Sequence, residues 1–109
     1  MDWWQPRLSL GLWHIDHYFH AGPDTMPPDS EDAMAVCFSE WRYLTAQVHW
    51  DLTATTTVDD ETLERVFVHE LMHIHLDEIS TRKNTEHEER VATELALSFV
   101  FLKRSLLAP

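Results

Sequence analysis

Glycine and cysteine are scarce in this chain of 109 residues. Its two glycines, Gly11 and Gly22, are too few for a glycine-rich loop that cradles phosphates, which excludes nucleotide sites of that kind. Its one cysteine, Cys37, has no intrachain partner for a disulfide. We therefore expect Cys37 to be an inert buried thiol, and we expect the protein to fold in the cytoplasm without an oxidising environment.

Positive charge and long apolar runs are also scarce. Eight basic residues stand against nineteen acidic ones, which gives a formal net charge of −11. Such a chain repels the phosphate backbone of nucleic acids and anionic membrane surfaces. The sequence shows no targeting signal and no apolar stretch of the length that crosses a bilayer. We expect neither nucleic acid nor membrane as a partner.

The length and composition are typical of one globular domain, which we place at residues 1–109. Partial alternation of apolar and polar residues predicts a strand over residues 8–19, followed by a loop rich in proline. Residues 35–52 carry enough aromatic and β-branched side chains for two strands with a turn near residues 39–42. Residues 53–57 are a polar, threonine-rich exit from the second strand.

Two helices are predicted after these strands. Asp59 or Asp60 can cap a helix that runs to about Asp77, because its apolar residues recur at three- and four-residue spacing. A second amphipathic helix is predicted from about Glu86 to Ser105. The sequence therefore predicts an α+β fold, in which a small mixed β-sheet packs on a helix pair.

The first of these helices contains the motif His69-Glu70-Leu71-Met72-His73. Two histidines four residues apart lie one turn above each other on the same face of a helix, so both imidazoles can reach one metal ion. Glu70 follows the first histidine and is placed to accept a proton from zinc-bound water. The motif predicts a zinc site with His69 and His73 as ligands and Glu70 as catalytic base.

A catalytic zinc ion normally has three protein ligands and one open position. The second helix offers several carboxylates soon after His73. Glu88 shares a face with the apolar residues of that helix and is our first choice, with Glu89 close behind it. Glu94 stays a candidate because the register of the two helices is unknown at this point, and His87 is a weaker one.

An HExxH helix followed by a glutamate on a later helix resembles the gluzincin group of zincin metallopeptidases. Short members of that group include minimal gluzincins and metallopeptidases encoded by phage and bacterial genomes. The resemblance covers residues 35–103 and implies that His69, His73 and either Glu88 or Glu89 hold the metal. In longer gluzincins the glutamate lies further from the second histidine than Glu88 does, which keeps Glu94 among the candidates.

This resemblance implies a zincin-like fold and hydrolysis of peptide bonds in a peptide or protein substrate. In zincin-like folds a sheet edge above the metal helix pairs with an extended peptide, and the alternating residues 45–52 are our candidate for that edge strand. The alternative is a zinc-binding structural or regulatory module without turnover, which the small size of the chain favours. A third class is a partner-binding domain without metal.

Other residues with chemical potential receive more ordinary interpretations. His14, His17 and His20 are candidates for a second metal site, although surface positions are the simpler expectation. His75 is expected to be structural or to support a ligand. Two tyrosines are candidate oxyanion donors, and five tryptophans are expected to anchor the core or an interface: Tyr18 and Tyr43; Trp3, Trp4, Trp13, Trp41 and Trp50.

Overall fold

The fold comes from a computed structural model that describes residues 3–28, 33–79 and 85–107. Three strands and four α-helices follow one another in these ranges, with a 3-10 turn at Pro23–Thr25. Their bounds are α1 Trp4–Arg7, β1 His14–His20, β2 Ala35–Glu40, β3 Thr45–Asp51, α2 Leu52–Thr55, α3 Asp60–Ile79 and α4 Thr85–Leu107. The architecture is the predicted α+β fold with a small mixed sheet.

The sheet has the order β1-β3-β2, with β3 parallel to β1 and antiparallel to β2. The four-residue turn between β2 and β3 closes through a hydrogen bond from the Tyr43 amide to the Glu40 carbonyl. Leu44 completes that turn in the left-handed region, with φ of 51°. Both strands and the turn between them agree with the sequence prediction for residues 35–52.

The predicted strand over residues 8–19 is wrong in its first half. The strand begins only at His14, after the short helix α1 and a turn in which Ser9 has φ of 62°. The side-chain amide of Gln5 donates to the carbonyl oxygens of Leu10 and Trp13, so these groups are satisfied within the turn. The alternating leucines that predicted a strand lie in this turn, so their spacing does not reflect a strand here.

Both long helices agree closely with their predicted bounds. Asp59 caps α3 by accepting a hydrogen bond from the Thr62 amide at 2.7 Å. Asp51 caps α2 in the same way through Thr53, so the predicted polar exit after β3 is a short helix. No helix in the described ranges is long and apolar enough to cross a membrane.

The core lies between one face of the sheet and the facing sides of α3 and α4. Small residues of α4 allow it to approach the apolar face of α3 closely. Buried side chains from α3 are Phe67, Val68, Leu71, Met72 and Ile74; those from α4 are Ala92, Ala96 and Val100; and those from the sheet are Ala35, Ala46, Val48 and Trp50. The HExxH helix is therefore fixed by packing on both sides of its histidines.

The N-terminal segment is tied to the helix pair through polar contacts. The Trp4 indole is buried and donates to a carboxylate oxygen of Glu64 at 2.9 Å, and Lys103 of α4 pairs with the same carboxylate. His75 donates to the Leu8 carbonyl. Trp4, Trp13 and Trp50 are thus core anchors as expected, whereas Trp41 is exposed.

Leu71 lies inside the metal-binding motif and is completely buried. We expect Leu71→Ala to lower the free energy of unfolding by about 2–5 kcal/mol, because the substitution leaves a cavity between α3 and its neighbours. The matched control is Leu106→Ala, since Leu106 is 82% exposed on α4. Denaturant titration measures both. Equal losses in the two variants would contradict this account of the core.

Candidate metal centre

The two histidines of the motif meet on one face of α3. Their Nε2 atoms lie 3.0 Å apart, and the rings are edge to face with centroids 4.8 Å apart. Both side chains are largely buried, at 19% exposed for His69 and 13% for His73. The helical spacing alone brings the two nitrogens to one point, as the sequence predicted.

Helix α4 supplies a carboxylate at the same point. Glu89 Oε2 lies 2.9 Å from the His69 Nε2 atom, and Glu89 Oε1 lies 2.9 Å from the His73 Nε2 atom. Among the described histidine, cysteine and acidic side chains, these three residues form the one group of three or more that could hold a metal ion. The side chain of Glu89 is 58% exposed, so this ligand stands at the solvent side of the centre.

Glu88 occupies a different position from the one we preferred for it. Its Oε1 atom lies 2.9 Å from Nδ1 of His73, on the opposite side of the ring from Glu89. A carboxylate beyond a histidine ligand fixes the tautomer of the ring and raises its basicity. Glu88 is 9% exposed and therefore suits this supporting role, while Glu89 is the candidate third ligand.

The protonation pattern that follows fits a divalent cation. Because a carboxylate only accepts, the proton of neutral His73 sits on Nδ1 and its Nε2 carries a lone pair. That lone pair faces a Glu89 oxygen at 2.9 Å. Two acceptors at this distance repel each other unless a proton or a cation lies between them, and two imidazole nitrogens with a carboxylate are a donor set that zinc accepts.

His69 has a similar environment. Its Nδ1 atom lies 3.3 Å from the hydroxyl of Thr93, one turn after Glu89 on α4. Burial lowers the pKa of His69, an effect that Glu89 partly offsets and to which nearby His73 adds. The neutral imidazole that a metal ligand requires is thereby favoured.

Glu70 lies beside the candidate ligands but takes no part in the contacts among them. It is only 6% exposed, and within the described parts of the chain its carboxylate has no hydrogen-bond or ion-pair partner. Burial, with the charges of Glu89 and Asp77, raises the pKa of Glu70 to about 8. A carboxyl group that is largely buried is costly in a folded protein, and its place in the lining of a cavity points to a functional reason for its presence.

A cavity of about 820 Å³ opens above these residues. It lies between β2 and α4, with α3 as its floor, and its lining includes His69, Glu70 and His73 of the motif together with Glu88 and Glu89. Ser39 of β2 donates to Asp77 of α3 at 3.2 Å, which fixes the strand alongside the helix. Cys37 also lines the cavity and is only partly buried, although burial and nearby carboxylates raise the pKa of its thiol.

The strand at this cavity is not the one that we expected. Residues 45–52 were the candidate edge strand, but β3 is the centre of the sheet because β1 and β2 pair with its two sides. The edge strand beside the centre is β2. Strand alternation could not reveal this order, since the long-range pairing of β1 with β3 decides it.

The remaining candidates lie away from the centre. Glu94 and His87 are exposed on α4, and neither lines the described cavity. Tyr18 lies on the outer face of the sheet and Tyr43 lies in the β2–β3 turn, so neither is placed as an oxyanion donor. The three histidines of the first strand do not converge either. His14 pairs with Asp16, His17 accepts from the Trp50 indole, and His20 contacts His49.

Comparisons with protein-family models, curated proteins and solved structures found no significant match to this chain. The resemblance to gluzincins therefore stays a prediction from the motif. We infer the metal centre from the geometry of its own residues.

Zinc affinity should separate the two neighbouring glutamates. We expect Glu89→Gln to remove a ligand and to cost more affinity than Glu88→Gln, which removes an outer partner and weakens binding by about 10- to 100-fold. The matched control is Glu94→Gln, because Glu94 is exposed on the same helix. Competition with a chromophoric chelator measures all three. A larger loss of zinc affinity in Glu88→Gln than in Glu89→Gln would mean that Glu88 is the ligand and Glu89 the supporting residue.

Proposed function

We propose that this chain is a zincin-like, zinc-dependent peptidase domain that hydrolyses peptide bonds. The observation that carries the proposal is the combination of three converging ligand atoms with Glu70, a buried carboxylate that lines the same cavity without a hydrogen-bond partner in the described structure. A purely structural zinc site has no need of such a base beside its ligands.

His69, His73 and Glu89 would hold the zinc ion, with Glu88 and Thr93 behind the two rings. When bound, zinc supplies a Lewis acid that polarises a carbonyl group and lowers the pKa of water. The positive charge of a bound zinc ion would favour the ionised form of Glu70, which accepts the proton of the attacking water and returns it to the amine that leaves as the peptide bond breaks. Its burial keeps competing solvent away from the carboxylate.

The substrate in this proposal is an extended segment of peptide. An edge strand presents unpaired backbone groups that can hydrogen-bond to such a segment. β2 is an edge strand, and it borders the cavity directly beside α3. A peptide that added to β2 would run past the motif histidines, which lie on the floor of the same cavity.

Glu70→Gln tests the catalytic role. We expect it to lower peptidase activity by about 10²- to 10⁴-fold, because the general base is lost while the ligands remain. Zinc content should stay that of the unaltered chain. Glu78→Gln is the matched control, since Glu78 is exposed on the same helix, and it should leave activity unchanged. Cleavage of a quenched fluorescent peptide library and elemental analysis give the two readouts. Retained activity in Glu70→Gln would overturn this role.

The competing proposal is a zinc-binding module without turnover. The described cavity favours this module because it offers a substrate few walls, which come from β2, residues of the loop before it and the two long helices. It predicts zinc binding with no cleavage of any peptide in such a library. Enrichment of a bound peptide without its hydrolysis would favour this module over the peptidase.

Metal removal should lower stability in either case. The ligands come from α3 and α4, so a bound ion links the two helices. At a free zinc concentration one hundred times Kd, binding adds about 2.7 kcal/mol to the free energy of unfolding. We therefore expect chelation to lower Tm more in the unaltered chain than in a His69→Gln, His73→Gln variant, which has lost two of the three ligands in the cavity. Calorimetry measures both, and an unchanged Tm in the unaltered chain would argue against any metal centre.

A further inference from the structure

A second pair of histidines lies on the outer face of the sheet. This face is opposite the buried side chains of Ala46, Val48 and Trp50, and it carries alternate residues of all three strands. His20 at the end of β1 and His49 of β3 meet there, with Nε2 of His20 2.9 Å from Nδ1 of His49. This separation resembles the 3.0 Å between the two nitrogens at the metal centre.

The two positions are fixed by strand pairing. Tyr18 is the register partner of His49, and His20 is the partner of Asp51, so the two histidines are diagonal neighbours on adjacent strands. The Tyr18 ring stacks on His49 with centroids 4.9 Å apart, and the Phe38 ring meets His49 edge to face with centroids 5.7 Å apart. These contacts hold the His49 ring in one orientation.

Gln47 sets the tautomer of His49. Its amide oxygen lies 3.2 Å from Nε2 of His49, and because that oxygen can only accept, the ring proton sits on Nε2. The lone pair is then on Nδ1, which is the atom that faces His20.

We propose that His20 and His49 form a second metal site, which binds a divalent transition-metal ion such as Cu²⁺, Ni²⁺ or Zn²⁺. Imidazole nitrogens suit these ions, and Cu²⁺ should bind most tightly of the three. Solvent completes the coordination, and the carboxylate of Asp51 opposite His20 adds favourable charge. The ion joins the edge strand β1 to the central strand β3 and stabilises the sheet by mass action.

The test uses a His69→Gln, His73→Gln variant, in which the centre in the cavity has lost two of its ligands. Calorimetric titration with Ni²⁺, which does not oxidise Cys37, is expected to show one site per chain. In this background, His20→Asn or His49→Asn removes a ligand and should lower the affinity for Ni²⁺. The loss should be at least about 10- to 100-fold, which is the usual loss when a residue that only supports a ligand is substituted. Circular dichroism checks that each variant is folded.

His14→Asn is the matched control. His14 is on the same strand and the same face, but it is exposed and pairs with Asp16. An equal loss of affinity in His14→Asn would show adventitious binding to surface histidines and overturn the proposal. Unchanged affinity after substitution of His20 and His49 would mean that the two rings form only an N–H···N hydrogen bond.

A second measurement tests the proposal even if the His69→Gln, His73→Gln variant does not fold. Zinc bound per unaltered chain is compared with zinc bound per His20→Asn, His49→Asn chain, and the proposal predicts a difference of one equivalent. This difference does not depend on the centre in the cavity, whose own zinc is present or absent in both chains alike. Equal stoichiometry in the two chains would contradict the second site.

Discussion

The Glu89 carboxylate, which faces the Nε2 atoms of both motif histidines at 2.9 Å, is the contact on which the candidate centre depends. It joins α4 to α3 at the cavity, so the packing of the two helices places all three candidate ligands together. Glu88, on the other side of the His73 ring, turns a lone pair of that ring toward Glu89. Two acceptors then face each other, and a proton or a cation must lie between them. The large negative charge of the chain makes a bound cation still more favourable.

Packing determines how well this contact is held. Leu71 and Met72 between the histidines are buried, as is Ile74 just after them, so α3 cannot rotate without exposing its apolar face. The small residues Ala92 and Ala96 on α4 let the second helix approach near the level of Glu89 and Thr93. A rigid floor and a close second helix are what a preorganised metal site requires. The burial of the Glu70 carboxyl group is a cost that this rigid packing offsets.

The sequence predicted the parts of the structure that depend on local spacing. The bounds of α3 and α4, the β2–β3 hairpin and the meeting of His69 with His73 all follow from periodicity, turn residues and helical geometry. The choice between Glu88 and Glu89 did not, because it depends on the rotation of α4 against α3. The order of the strands and the meeting of His20 with His49 depend on long-range pairing. Thr93 carried no motif signal, although its position four residues after Glu89 would have placed it on the same face once Glu89 was known.

X-ray absorption at the zinc edge tests the central claim most directly, on protein purified without a metal-affinity tag and given one equivalent of zinc. Our account predicts a first shell of nitrogen and oxygen atoms at about 2.0–2.2 Å, with two imidazole rings that disappear in a His69→Gln, His73→Gln variant. The His20→Asn, His49→Asn substitutions are present in both samples, so that only the centre in the cavity contributes. A sulfur atom at about 2.3 Å would instead place Cys37 on the metal. That result, or a failure to bind zinc at all, would contradict the ligand set of His69, His73 and Glu89.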